Sequence, residues 1–267
     1  MKKLILLYFS FARISIKENV AIRSAYWAGL VGQWLNYGVT FTTLYIVVGT
    51  FRVLAGWTPD EVIFLFALNL LSYALAASVF FNPCTKLAGK IRSGEFDAAL
   101  TKPVSPLGHE ILMGFNFGYV SHITLSTGVL IFAAIRVGLM FTAFSFFIFA
   151  LMLIGCILVQ ASFLIAVSAF SFLFTNDNPA FELLWAMKNF TNYPLPIFPA
   201  LLQILFSFVI PVAFMSFYPA TVILMKGGET PFHPALGYLS PLVGIIFFLL
   251  SIGFWNWALG KYQSTGT

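Results

Sequence analysis

Between Arg136 and Asp177 the chain carries no charged side chain, a gap of about 40 residues. A second such gap runs from Lys188 to Lys226. An ordinary soluble domain is about 25% charged, and apolar runs of this length would have to face water in one. This chain is 9% charged and 60% hydrophobic over 267 residues. Lipid is therefore the solvent for most of it, and the expected fold class is an all-α polytopic membrane protein. It reads as a single transmembrane domain over residues 1–267, with no soluble unit large enough to be an enzyme by itself. Cys84 lies at the edge of an apolar run and Cys156 deep inside one. With no zinc spacing, both read as packing residues.

A crossing needs about 20 apolar residues. Six are expected: Tyr26 to Thr50, Asp60 to Phe81, Ile111 to Ile135, Phe141 to Phe174, Pro196 to Met215 and Ala235 to Leu259. Thr58-Pro59-Asp60-Glu61 reads as the start of the second, with Thr58 as cap and Pro59 in the first turn. The fourth is taken as one long helix, because the only turn candidate, near Gly155, lacks Pro, Asn or Asp. The fifth should kink near Pro211, and Ser216-Phe217-Tyr218-Pro219 should break it. Ala220 to Met225 is too short to cross and is expected to be re-entrant. In residues 1–24, Ile5, Tyr8, Phe9, Ala12 and Ile16 share one helical face and Lys3, Arg13 and Lys17 another. That pattern predicts an interfacial amphipathic helix, not a cleaved leader.

Six crossings put both termini on one side. Of the 14 Lys and Arg, only Arg52, Arg136 and Lys226 fall outside under this scheme. The positive-inside rule then places both termini in the cytoplasm. Lys188 counts among the inner set, so residues 175–195 are expected to form a cytoplasmic loop. A multi-pass protein of the cytoplasmic (inner) membrane of a prokaryote is the expected localisation.

The chain has no G-x-x-x-x-G-K-[ST] phosphate loop, no H-E-x-x-H and no G-x-S-x-G. No acidic residue lies well inside an expected span, which disfavours ion-coupled transport. His122 does lie inside one. Two readings stay open for it, a proton relay or a neutral imidazole bonded to a neighbouring helix. The informative loop is residues 82–109. A helix from Pro83 to Arg92 should stop at Ser93-Gly94, and a second should run from Glu95 to Leu100. Phe96 and Leu100 share a face at i, i+4, while Glu95 and Asp97 suit the helix N-terminus. Two readings are open here as well: docking of Phe96 and Leu100 in a partner's groove, or a charged loop resting on the bilayer.

The string Gly94-Glu95-Phe96-Asp97-x-x-Leu100-x-Lys102-Pro103-Val104-Ser105 resembles the loop after the second span in ABC-2-type transporter permeases. The resemblance is to a branch of six-span bacterial export permeases. Ile210-Pro211-Val212-Ala213-Phe214, followed by Phe217-Tyr218-Pro219-Ala220, agrees with the end of the fifth span and the re-entrant turn in that family. The resemblance implies the non-catalytic transmembrane subunit of an ATP-binding-cassette exporter for a hydrophobic or amphipathic substrate. It implies two ATPase subunits on separate chains, holding the ATP and Mg, and a second permease copy or a related permease. No cofactor in this chain and no nucleic acid are expected. By the same resemblance Arg92, Glu95, Phe96, Asp97 and Leu100 form the coupling helix. Asp177, Asn178 and Glu182 belong to a second cytoplasmic contact, and Pro211, Tyr218 and Pro219 to a turn near the outer mouth. The alternative is a passive channel or membrane assembly factor with no ATPase.

Overall fold

The computed structural model describes residues 23–50, 53–140, 142–174 and 179–263. The interfacial helix expected over residues 1–24 lies outside them, apart from its last two positions. Asp177 and Asn178 lie outside them too. The described residues form helices and loops, without a named strand. In chain order the helices are α1 (Arg23–Thr50), α2 (Pro59–Arg92), α3 (Glu95–Leu100), α4 (Pro106–Met113), α5 (Val120–Val137) and α6 (Ala143–Phe170). Then follow α7 (Pro179–Phe190), α8 (Ala200–Ile204), α9 (Phe217–Ile223), α10 (Ala235–Tyr238) and α11 (Ser240–Leu259).

Among the described residues, 4 helices are long and apolar enough to cross a membrane: α2, α5 with its preceding 3-10 turn, α6 and α11. α1 is as long as α6, at 28 residues. Gln33, Asn36, Thr40, Thr42 and Thr43 make it the more polar of the two. Its second half nevertheless packs against α2. Phe41, Leu44 and Val48 are buried in the main core, and the Phe41 and Phe66 rings meet at 4.7 Å.

α2 is the axis of the bundle. Every residue from Val62 to Ala74 is buried, so the helix is apolar all round because it is enclosed all round. Its start is the expected one: Pro59 opens it, and the Glu61 carboxylate accepts a hydrogen bond from the Thr58 N–H at 2.7 Å. The helix then continues through Pro83 to Arg92. The segment from residue 82, expected to leave the span as a separate piece, is a continuation of the same helix. A backbone N–H from outside the helix, that of Asn116, donates to the Ser78 carbonyl at 2.8 Å, close to the turn that Pro83 disturbs.

Three further expectations need correction. The third span was expected from Ile111, but Pro106–Met113 is a helix of its own. The Asn116 side chain accepts from Gly118 N–H at 3.0 Å and starts the next helix there. The fifth span, Pro196 to Met215, is not one helix. α8 passes into a π-helical stretch, Leu205–Val209, which ends at Ile210-Pro211. A 3-10 turn, Val212–Met215, and then α9 follow. The loop expected over residues 175–195 is largely α7, a 12-residue helix.

The fourth segment is one helix, as expected, and Gly155 is no turn. It is where α6 crosses α11. A Cβ at Gly155 would lie 3.0 Å from Pro241 backbone, and one at Gly244 would lie 2.7 Å from the Gly155 carbonyl oxygen. Small residues are what let two membrane helices approach this closely. Farther along, the Trp255 Nε1–H donates to Ser168 Oγ at 3.3 Å, so the two helices run parallel.

Charged residues gather at opposite ends of this bundle. Arg136 meets Asp60 at 3.4 Å, and Lys226 meets Glu61 at 3.1 Å. Lys226 also donates to the Gly56 carbonyl at 2.6 Å. The other end carries Lys86, Lys90, Arg92, Lys102 and Lys261. The crossing glycines give a direct test. Gly244→Leu should lower the detergent melting temperature strongly, because overpacking a tight contact costs about 1–3 kcal/mol or more. Gly253→Leu, on the same helix with nothing within 4 Å of its Cβ position, should leave the melting temperature nearly unchanged.

Candidate functional site

The basic end of the bundle is a small folded cap. α2 stops at Ser93, whose N–H bonds the Gly89 carbonyl at 3.0 Å. Gly94 follows with φ 72°, a left-handed conformation that glycine adopts without steric cost. α3 then covers Glu95–Leu100, the bounds that the sequence predicts. Ser105 accepts from the Gly108 N–H at 3.2 Å and starts α4. Behind α4 the buried Glu110 carboxylate receives the Lys90 ammonium at 2.9 Å.

The direction of Phe96 corrects the sequence reading. Phe96 is 0% exposed, so it is not a side chain offered to a partner. It packs with Leu87, Ile91 and Ala99 against the ends of α6 and α11. Its ring meets Phe172 at 5.2 Å and Tyr262 at 5.3 Å. Asp97 is held inside the same cap, accepting a hydrogen bond from the Tyr262 hydroxyl at 2.8 Å. Phe96 and Ala99, three apart, form the inward face of α3. Arg92, Glu95 and Leu100 remain exposed, Leu100 at 44%. Of the second expected contact, Glu182 lies exposed on α7.

The third expected group is brought together. Pro211, Tyr218 and Pro219 are all buried, within a continuous buried run from Pro211 to Thr221. Ser207 and Tyr218 share a hydroxyl hydrogen bond at 2.8 Å. Ser216 Oγ donates to the Thr191 carbonyl at 2.9 Å, and Ser72 Oγ donates to the Met215 carbonyl at 3.4 Å. Irregular backbone at membrane depth needs this kind of enclosure.

Sequence reasoning missed the centre of that enclosure. The Asn69 side-chain amide donates to Thr191 Oγ1 at 2.8 Å and Asn192 Oδ1 at 3.0 Å. Its oxygen accepts from Gln160 Nε2 at 2.9 Å. One buried amide thus joins α2, α6 and the chain leaving α7. The signal was present: Asn69 and Gln160 are amides set in otherwise apolar runs.

A chamber of about 580 Å³ lies between α1, α2, the start of α5 and α7. Gln33, Asn36, Tyr37, Tyr119, His122 and Trp185 line it. His122 Nδ1 lies 3.2 Å from Ser121 Oγ, and its ring meets Tyr37 at 4.6 Å and Tyr119 at 5.0 Å. The Tyr73 and Tyr119 hydroxyls are 3.4 Å apart. Trp34 fastens α1 to the opposite wall, its Nε1–H donating to the Ser121 carbonyl at 3.1 Å.

Compared with protein families, residues 34–266 match the one described as ABC-2 family transporter protein. The chain belongs to this family. Among curated proteins and among solved structures no match is found. Membership makes the chain a multi-pass membrane permease of an ABC-type transporter, in a family whose membrane subunit is non-catalytic. It accords with the missing phosphate loop and with the long apolar helices of this ABC-2 permease.

Two substitutions separate anchoring from display on α3. Phe96→Ala should destabilise the cap by about 3–5 kcal/mol, the range for truncating a buried Phe. Leu100→Ala should change stability by under about 0.5 kcal/mol, as for an exposed site. Protease sensitivity of the 82–109 segment in detergent would report both. Separately, Asn69→Leu strands the buried amide of Gln160, whereas the Thr191 hydroxyl still donates to the Lys188 carbonyl at 2.7 Å. The substitution should cost about 1–3 kcal/mol for the buried group left unpaired, read as a fall in melting temperature.

Proposed function

We propose that this permease is the membrane subunit of an ATP-driven exporter that moves a hydrophobic or amphipathic substrate out across a prokaryotic cytoplasmic membrane. It works with a second permease copy or a related permease and with two ATPase subunits on separate chains, which hold the ATP and Mg. The chain crosses six times. α1 is the first crossing, α2, α5, α6 and α11 are the helical ones, and α7 to α9 make a composite fifth. Both termini and α3 face the cytoplasm, and the Asp60–Arg136 and Glu61–Lys226 pairs face outward.

The observation that carries the coupling role is the two-sidedness of α3. Phe96 and Asp97 fasten it to the ends of α6 and α11, while Glu95 and Leu100 are exposed. A part that transmits force between two proteins needs such a firm side and an exposed one. Glu182 on α7, with Asp177 and Asn178 before it, supplies the second contact. The turn of Pro211, Tyr218 and Pro219 sits toward the outer mouth of the path.

Leu100→Glu with Glu95→Lys should leave the permease folded and lower the ratio of ATPase to permease after purification by about tenfold, the effect of losing one good apolar contact. An unchanged ratio would remove α3 from the coupling role. Absence of any phosphate-loop ATPase from the wild-type preparation would favour the passive channel or assembly factor. For topology, single cysteines at Ser93 and Gly227, with Cys84 and Cys156 replaced, should label from opposite sides of the membrane. Labelling from one side would refute six crossings.

A further inference from the structure

We propose that the chamber between α1, α2, α5 and α7 is a substrate site for organic anions with a planar aromatic body, and that Lys188 sets this preference. The inference rests on the permease reading and adds a substrate class to it. The chamber volume of about 580 Å³ falls within the range of drug-sized ligand sites, roughly 300–1,000 Å³. Its walls combine rings with amides, the pattern of a site that stacks a flat body and fixes a polar head. Gln33 and Asn36 lie on one face of α1, and their amides make no hydrogen bond among the described residues. In a membrane such groups call for a polar partner.

The sign of the charge follows from what stands behind the wall. The Lys188 ammonium lies 2.9 Å from the Tyr73 ring centroid and 4.8 Å from that of Trp185. Both rings line the chamber. No acidic residue lines it, and Lys188 has no carboxylate within 4 Å among the described residues. An aromatic chamber without acids would ordinarily suit a cation. Here the cation position on two of its rings is already filled by the protein. A positive ligand meets repulsion, whereas a negative head group is drawn toward the ammonium that sits over the Tyr73 and Trp185 rings. His122, on the adjacent wall, adds no negative charge in either protonation state.

The test uses two probes that share one fluorescent body: dansylglycine, an anion, and dansylcadaverine, a cation. The full chain is placed in lipid nanodiscs, and binding to empty nanodiscs is subtracted. Wild type should bind dansylglycine at least about tenfold more tightly than dansylcadaverine, a factor that a modest ion-pair contribution supplies. Lys188→Met should abolish the preference and Lys188→Arg should keep it. Tyr119→Ala should weaken both probes. Equal binding, or preference for the cation, in wild type would overturn the inference whatever the variants do. So would a preference that survives in folded Lys188→Met. Co-purification of an ATPase is scored on the same preparations. An ATPase present with no anion preference sinks this inference alone. Anion preference with no ATPase leaves the site standing and removes the exporter reading.

Discussion

The Asn69 amide is the interaction on which the middle of this structure depends. The chain between Phe190 and Phe217 is broken four times: after α7, at Pro199, at Ile210-Pro211 and at Ser216. Each break frees backbone groups that need new partners. An enclosed amide has two donors and an acceptor to give, and Asn69 uses all of them, toward Thr191, Asn192 and Gln160. Thr191 then takes Ser216 through its carbonyl. The broken segment is therefore pinned at both ends to one point on α2. The burial of α2 from Val62 to Ala74 is the counterpart of this, since a central helix must be surrounded for the Asn69 amide to meet two other elements.

What the sequence made legible was local. Thr58-Pro59 marked the start of α2, Ser93-Gly94 its end, and Glu95 to Leu100 the next helix, because caps and glycines act within a few residues. The uninterrupted run through Gly155 marked α6 as one helix. What stayed hidden depended on contacts between distant residues. The i, i+4 spacing of Phe96 and Leu100 suggested one shared face, but the inward pair is Phe96 and Ala99, set by where Phe172 and Tyr262 arrive. Periodicity says that a face exists; it does not say whether that face meets this chain or another.

α7 shows the same limit from the side of charge. Lys188 argued for a loop, since an ammonium in a membrane is costly. In the fold it lies over the rings of Tyr73 and Trp185, one from α2 and the other a turn earlier on α7 itself. A charge-counting rule cannot anticipate a partner brought in from more than 100 residues away. The same holds for the chamber: Tyr37, Tyr73, Tyr119 and Trp185 are unremarkable aromatics along the chain, and only the packing collects them.

The glycine crossing has a mechanical consequence. α6 and α11 touch backbone to backbone at Gly155 and Gly244, and Trp255 and Ser168 join them again near the basic end. Two parallel rods fixed at two points cannot slide or splay independently; they move as one plank. Phe96 is wedged against the end of that plank, beside Phe172 and Trp255. In the proposed coupling role, a displacement of α3 would be delivered to this double beam rather than to a single helix.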